Sequence, residues 1–450
     1  MDRRTLLASA LAAGGAAPIR AWAQPAAAGP DPAVIQALAR DAYLFALPLL
    51  EVCRTRDNAL AAGLPANTFN HRRNLAGPAD RGVTTPNNDT LYSTAFLDLR
   101  KGPVSVTSPA SPNRYFSLAF MDAWSNNFHI AGTRTDGGRA RKLLLATETQ
   151  AATLKPGPDV QLIVSPTNWV WALGRTLTDG GADLPAARAV QDGITASGEA
   201  GPPPPKAPPR NADLQTLLTA IQPLAADAGI LKADLPALLG LARRAIVLGV
   251  GLDGQPVDPA VKATGEAALN AVRASLRGAA AAQQGIDGWT YPKPNLGDFG
   301  TDYPYRAAIA MAGLAALPPK EAMYMWAVGA GGPNAPPRTF DGTKAWRLDL
   351  PKLPIDSFWS LSMYEVTPEG SSFFVENPLH RYAIGDRTPG LVRTPEGGAV
   401  IWIGSADPGG TRRANWLPAP AGPFALVLRA YLPRPELLEG RFRLPPVKAA

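Results

Sequence analysis

Two stretches of the chain gather the side chains that carry chemistry. In Thr84–Ser93, Asn87, Asn88, Asp89 and Tyr92 stand just ahead of an apolar run, with Asp122 and Arg134 downstream. In Glu376–Arg387, Asn377, Arg381 and Asp386 form a second polar set. Amides, carboxylates, a phenol and guanidinium groups supply the donors and acceptors that fix a small polar ligand at a pocket mouth. Two carboxylates, Asp89 and Asp122, with Arg134 as an electrostatic clamp, would instead serve a hydrolase as general acid and base. A structural role competes with both: Asn and Asp before a strand close Asx-turns, and buried Arg–carboxylate pairs brace loops. All nine residues are candidate binding residues, and Asp89, Asp122 and Arg134 are also candidate catalytic ones.

Other chemistries find little support. The three histidines, His71, His129 and His380, are isolated, with no spacing that sets two imidazoles on one face. No metal and no other cofactor is therefore expected, and His129, between Phe128 and Ile130, is expected to be a satisfied core histidine. Gly249-Val250-Gly251-Leu252-Asp253-Gly254 fits a bare G-x-G-x-x-G pattern. It follows a helical run and meets Pro256 and Pro259, so it reads as a loop at a helix end, not a phosphate cradle. No Gly-x-Ser-x-Gly nucleophile elbow occurs. The single cysteine, Cys53, follows Leu49, Leu50 and Val52 and is expected to be a buried, inert thiol. The net charge of +7 is spread over single or paired cations, so no nucleic-acid partner is expected. Trp124, Trp171, Trp289, Trp359, Trp402 and Trp416 offer flat faces to a glycan-like ligand, though tryptophans in a sandwich are mostly core.

The elements that must position these residues follow from pattern. Arg3-Arg4, an Ala/Leu stretch and Ala21-Trp22-Ala23 form a signal peptide of twin-arginine type over residues 1–23, cleaved near Ala23. Export to the periplasm or medium is the expected address, and no later stretch reads as apolar enough to span a bilayer. Asp31-Pro32 opens an amphipathic helix through Ile35, Leu38, Ala42, Phe45 and Leu49, with Pro48 as an expected kink. From Asp89 to Thr176 short apolar runs alternate with turn residues, the texture of strands. Pro202–Pro205, Pro208 and Pro209 form an extended linker. Helical periodicity then covers Leu214–Ile221, Leu235–Leu248 and Asp258–Ala282, before strand texture returns from Met323.

The expected division is a signal at 1–23, a helix plus first β-sandwich at 24–195, a Pro-rich linker at 196–210, a helical region at 211–317 and a second β-sandwich at 318–450. The two β-rich parts repeat one another. Phe116–Asp122 matches Trp359–Glu365 in character at each position, and each is followed by Gly-x-Arg, at Gly132–Arg134 and Gly385–Arg387.

TTPNNDTLYSTAFLDL (Thr84–Leu99), RYFSLAFMDAW (Arg114–Trp124) and GTRTDGG (Gly132–Gly138) resemble the family called domain of unknown function 1254. SFWSLSMYE (Ser357–Glu365), NPLHRYAIGDR (Asn377–Arg387) and NWLPAPAGPFALVLRAY (Asn415–Tyr431) resemble its companion, domain of unknown function 1214. The resemblance implies a mainly β protein of two sandwich or jelly-roll-like domains with helical additions, and it implies no mechanism. The expected function is a periplasmic binding module for a small polar or glycan-like ligand. A hydrolase with paired carboxylates, and a jelly-roll assembly protein forming a homo-oligomer, are the alternatives. No membrane partner is expected after signal removal.

Overall fold

The computed structural model of the protein describes residues 30–450 except 83, 252–256, 283–284, 332–335 and 337. The signal segment and part of the glycine-rich loop therefore lie outside the described residues. The fold is mainly β, as two sandwiches with a helical layer.

Helix α1 (Pro32–Ala61) starts where Asp31 accepts a hydrogen bond from the Ala33 amide at 2.9 Å and Pro32 takes the first turn, and it runs on through Pro48. Its length and composition would suffice to cross a membrane, which corrects the expectation that no stretch after the signal would. In the fold its apolar side chains, including Leu38, Phe45 and Leu49, are buried in a core shared with later helices.

The first sandwich follows. Strands β1 (Asn70–His71), β2 (Thr90–Asp98), β3 (Val104–Ser108), β4 (Phe116–Met121), β5 (Asn127–Gly132), β6 (Arg141–Thr147), β7 (Val160–Ser165), β8 (Trp169–Leu177) and β9 (Thr195–Ser197) form two sheets, with helix α2 (Leu184–Asp192) before β9. One sheet has the order β1-β2-β8-β4-β5 and the other β7-β6-β3-β9. Between them Leu97, Phe116, Leu118 and Phe120 pack on Val104, Val106, Leu143 and Leu145, as period-two alternation requires.

Chain 198–213 runs extended beside α1. Arg54 and Arg56 donate to the carbonyls of Pro208 and Pro205 at 2.6 and 3.0 Å, so the proline stretch is pinned to the helix. Helices α3 (Leu214–Ala228), α4 (Leu235–Val247), α5 (Pro259–Ala282) and α6 (Tyr303–Ala312) complete the layer. After α4, Gly249 takes a positive φ of 64° and its amide returns to the Ile246 carbonyl, the helix-end loop that the glycine spacing suggested.

The second sandwich comprises β10 (Trp289–Thr290), β11 (Ala322–Ala327), β12 (Phe340–Asp341), β13 (Trp346–Leu350), β14 (Trp359–Val366), β15 (Ser372–Phe373), β16 (Ala383–Gly385), β17 (Ala399–Gly404), β18 (Trp416–Pro418), β19 (Pro423–Tyr431) and β20 (Lys448–Ala449). Its larger sheet has the order β10-β11-β19-β14-β15, with β16 also on β14 and β12 on β19. The smaller is β18-β17-β13-β20. Trp289, Leu361, Met363, Leu426 and Ile401 fill the core between them.

Strand register shows the repeat directly. Ser117 pairs with Gly132 on one side and Arg175 on the other, while Ser360 pairs with Gly385 and Arg429. Arg175 in turn faces Tyr92, and Arg429 faces Tyr324. A four-strand row, Tyr–Arg–Ser–Gly, thus recurs in both halves. At each glycine a Cβ would sit 2.2 Å from a carbonyl oxygen, that of Phe116 or of Trp359. Close backbone approach explains why both copies carry Gly there.

Candidate functional site at the junction of the two halves

The Tyr–Arg–Ser rows lie on the sheet faces turned away from the sandwich cores, and these two faces meet. Contact is made by rings: Phe358 stacks on Tyr431 at 4.1 Å, and Tyr115 meets both edge-on at 5.6 and 4.9 Å. Around the rings the repeat crosses over. Arg387 Nη2 donates to Asp89 Oδ1 at 2.9 Å, and Arg134 Nε donates to Glu321 Oε2 at 2.6 Å. Asp89 lies three residues before Tyr92, and Glu321 three before Tyr324. Each half therefore offers its Gly-x-Arg arginine to the other half's carboxylate.

Both carboxylates are buried, at 4% exposure for Asp89 and 0% for Glu321, and both have second donors. Ser360 Oγ donates to Asp89 Oδ2 at 2.5 Å, and the Tyr115 hydroxyl to Glu321 Oε1 at 2.9 Å. Burial, reinforced by the Glu321 carboxylate, holds the Tyr115 phenol well above its ordinary pKa. Burial likewise raises Tyr324, Tyr364 and Tyr431. These phenols stay protonated, and Tyr115 and Tyr364 donate, the latter to the Pro86 carbonyl at 2.7 Å.

The sequence-derived set divides. Asp89 sits at the junction, with Asn87 beside it: Asn87 Nδ2 donates to the Tyr431 hydroxyl at 2.8 Å and Oδ1 accepts from the Asp89 amide at 2.7 Å. Arg134 is there through Glu321. Tyr92 lies in the Tyr–Arg–Ser row, half-buried, with the Arg175 guanidinium 5.4 Å over its ring. Asn88 holds the entering loop through the Ala76 carbonyl.

Asp122 does not join Asp89 and Arg134, which corrects the expected grouping. It follows the far end of β4, and its oxygens accept from the amides of Trp124 and Asn126 at 2.8 and 2.9 Å and from Asn126 Nδ2 at 2.9 Å. Strand geometry explains the separation: five residues along β4 from Ser117 span roughly 17 Å. Burial pushes the Asp122 carboxyl up to about 6 against these hydrogen bonds. Asn377 closes a turn, accepting from the amides of Leu379 and Arg381 at 3.2 and 3.0 Å, and Arg381 braces a loop through the carbonyls of Ala414 and Trp416. Asp386 Oδ1 accepts from the Trp359 amide at 3.2 Å, the task that Thr133 performs for Phe116 at 2.9 Å.

Trp124, Trp289, Trp359 and Trp416 are core, while Trp171 and Trp402 are half-buried. The His129 ring leaves Nε2 buried without a hydrogen-bond partner among the described residues, where a satisfied histidine was expected. Among the described residues no three His, Cys, Asp or Glu side chains gather as metal ligands.

The reading from pattern missed Tyr115, Arg175, Glu321, Tyr324 and Arg429. The signal that finds them is the repeat carried further: Asp89-x-x-Tyr92 aligns with Glu321-x-x-Tyr324, and Arg175 with Arg429 two residues before the strand end.

The fold and the crossed junction define a class of protein in which two like β-sandwiches are joined face to face within one chain. Residues 66–197 belong to the family called protein of unknown function DUF1254, and residues 321–435 to the family called protein of unknown function DUF1214. No curated protein matches it. Among solved structures it is similar to the VPA0106 protein from Vibrio parahaemolyticus, with 20% identity, a TM-score of 0.66, and 92% of this chain and 100% of that one covered. An uncharacterized protein from Burkholderia cenocepacia aligns over 100% of this chain and 98% of that one, with 12% identity and a TM-score of 0.45.

Proposed function

We propose that this protein is an exported binding module that holds a small polar or glycan-like ligand at the junction between its two sandwiches. One observation carries the reading. The joined faces present Tyr92, Arg175 and Ser117 opposite Tyr324, Arg429 and Ser360, and Tyr92, Trp171, Tyr324 and Trp326 on these faces remain half-buried. A face that served only as cement would have its central rings fully buried. A partly open wall of aromatic rings with a few convergent polar groups is the ordinary make-up of a small-molecule site.

A hydrolase with Asp89 and Asp122 as a carboxylate pair gains no support from the geometry, because the two share no partner. Export is supported by the paired arginines, the apolar stretch and the small-x-small site before Gln24. N-terminal sequencing of protein from the periplasm should begin near Gln24, and recovery of the uncleaved chain from the cytoplasm would overturn export.

Native mass spectrometry of protein from an exporting host, against its denatured mass, tests binding. A retained small molecule that dissociates on unfolding is the expected result. Empty protein whose melting temperature no panel of sugars, amino acids or organic acids moves would overturn the reading.

A further inference from the structure

We propose that the junction takes a small organic carboxylate on the guanidinium of Arg175, an inference that rests on the binding reading above and names its ligand class. The two repeat arginines are treated differently by their surroundings. Arg429 Nη1 donates to Ser362 Oγ at 2.6 Å, and its Nη2 donates to the Tyr364 hydroxyl at 2.7 Å and the Thr85 carbonyl at 3.2 Å. The positions that match Ser362 and Tyr364 in the first half are Ala119 and Met121. Neither offers a hydroxyl.

Among the described residues Arg175 has one side-chain hydrogen bond, from Nη2 to the Ala315 carbonyl at 2.8 Å. Its Nη1 has no partner among the described residues, although the side chain is buried at 4% exposure. A desolvated guanidinium with an empty donor edge is costly unless an anion meets it, and its planar fork suits a carboxylate.

The surroundings select the rest of the ligand. Tyr92 lies against the guanidinium, while half-buried Tyr324 and Trp171 extend the wall. These rings suit the carbon body of an organic acid, whereas inorganic phosphate calls for more cationic contacts than one guanidinium edge supplies. Nη1 is enclosed, so uptake requires local movement around the guanidinium.

Titration calorimetry and thermal shift with benzoate, succinate, their neutral amides and inorganic phosphate test this on the mature full chain. The acids should raise the melting temperature and the amides should not. Arg175→Gln should weaken acid binding roughly 10- to 100-fold, the loss of a charged hydrogen-bond partner. Ala119→Ser, which gives Arg175 the hydroxyl that braces Arg429, should weaken binding in a chain that keeps its arginine, so the inference stays testable if the glutamine variant misfolds.

Equal binding of amides and acids, or phosphate binding as tightly as the acids, would overturn the carboxylate assignment while leaving a binding protein. Acid binding untouched in both variants would place the site elsewhere and overturn the role of Arg175. If no acid binds, the inference fails, and the native-mass experiment decides separately whether the binding reading survives.

Discussion

Arg387 of the second sandwich and Asp89 of the first meet across the junction at 2.9 Å, and Arg134 and Glu321 make the reciprocal pair at 2.6 Å. Crossed pairing makes each half complete the other's buried charge.

Removal of one arginine leaves a buried carboxylate without its cation. Arg387→Ala should destabilise the protein by about 3 kcal/mol, and Arg134→Ala by a comparable amount. The additional substitution Asp89→Asn should recover part of the Arg387→Ala loss, because the orphaned charge is gone. Urea unfolding of the single and double variants measures this coupling. Additive losses would mean that the pair contributes no mutual stabilisation.

Gly132→Ala and Gly385→Ala should be damaging to similar degrees, each by about 2 kcal/mol or more, as expected of overpacking against fixed backbone. In both, the added methyl meets a carbonyl oxygen at 2.2 Å. Gly63→Ala is the control for the positive φ that Gly132 has and Gly385 lacks, since nothing lies within 4 Å of its Cβ position and its φ is 88°. Thermal melts that show the two repeat glycines to be no more sensitive than Gly63 would contradict the close approach.

The Asp122 carboxyl, raised by burial to about 6 from 3.8, holds its proton more tightly in the folded chain than in the unfolded one. Its contribution to stability should therefore be greatest below pH 4 and should fall by about 3 kcal/mol as pH rises to about 6. Asp122→Asn should remove that component from the pH profile of unfolding, whatever its effect on stability at a single pH. An unchanged profile would show that the turn hydrogen bonds already cancel the burial cost.

Cys53 is 2% exposed, and burial pushes its thiol up to about 12. A disulfide reagent should leave the native protein untouched at mildly alkaline pH and modify one thiol per chain after denaturation. Rapid native labelling would report local opening of α1.

Much of the architecture was legible because it is written in short-range pattern. The Asp31-Pro32 start of α1, the proline linker, the three helices after it and the Phe116/Trp359 repeat all depend on neighbours in sequence or on strand alternation. The site was legible in part. Asn87, Asp89, Tyr92 and Arg134 stand out as polar residues flanking strands, and they lie at the junction. Asp122 stands out equally and does not, because only strand length separates it from Ser117. Arg175, inside an apolar strand, and Glu321, just ahead of one, escaped notice for the opposite reason: a lone charge there looks local until its cross-strand and cross-domain partners are known. The partners of Asp89 and Glu321 lie 298 and 187 residues away.

Those separations set a timetable for the nascent chain. Arg134 is already made when Glu321 leaves the ribosome, so that pair can close as soon as its second member appears. Asp89 must wait for Arg387, 298 residues later, a delay of roughly 15–60 s at ordinary elongation rates. During that interval the first sandwich carries an uncompensated carboxylate on the face its partner will cover. Burying that unpaired charge against a neighbouring nascent chain would be costly. The last sandwich to be synthesised thus seals the first.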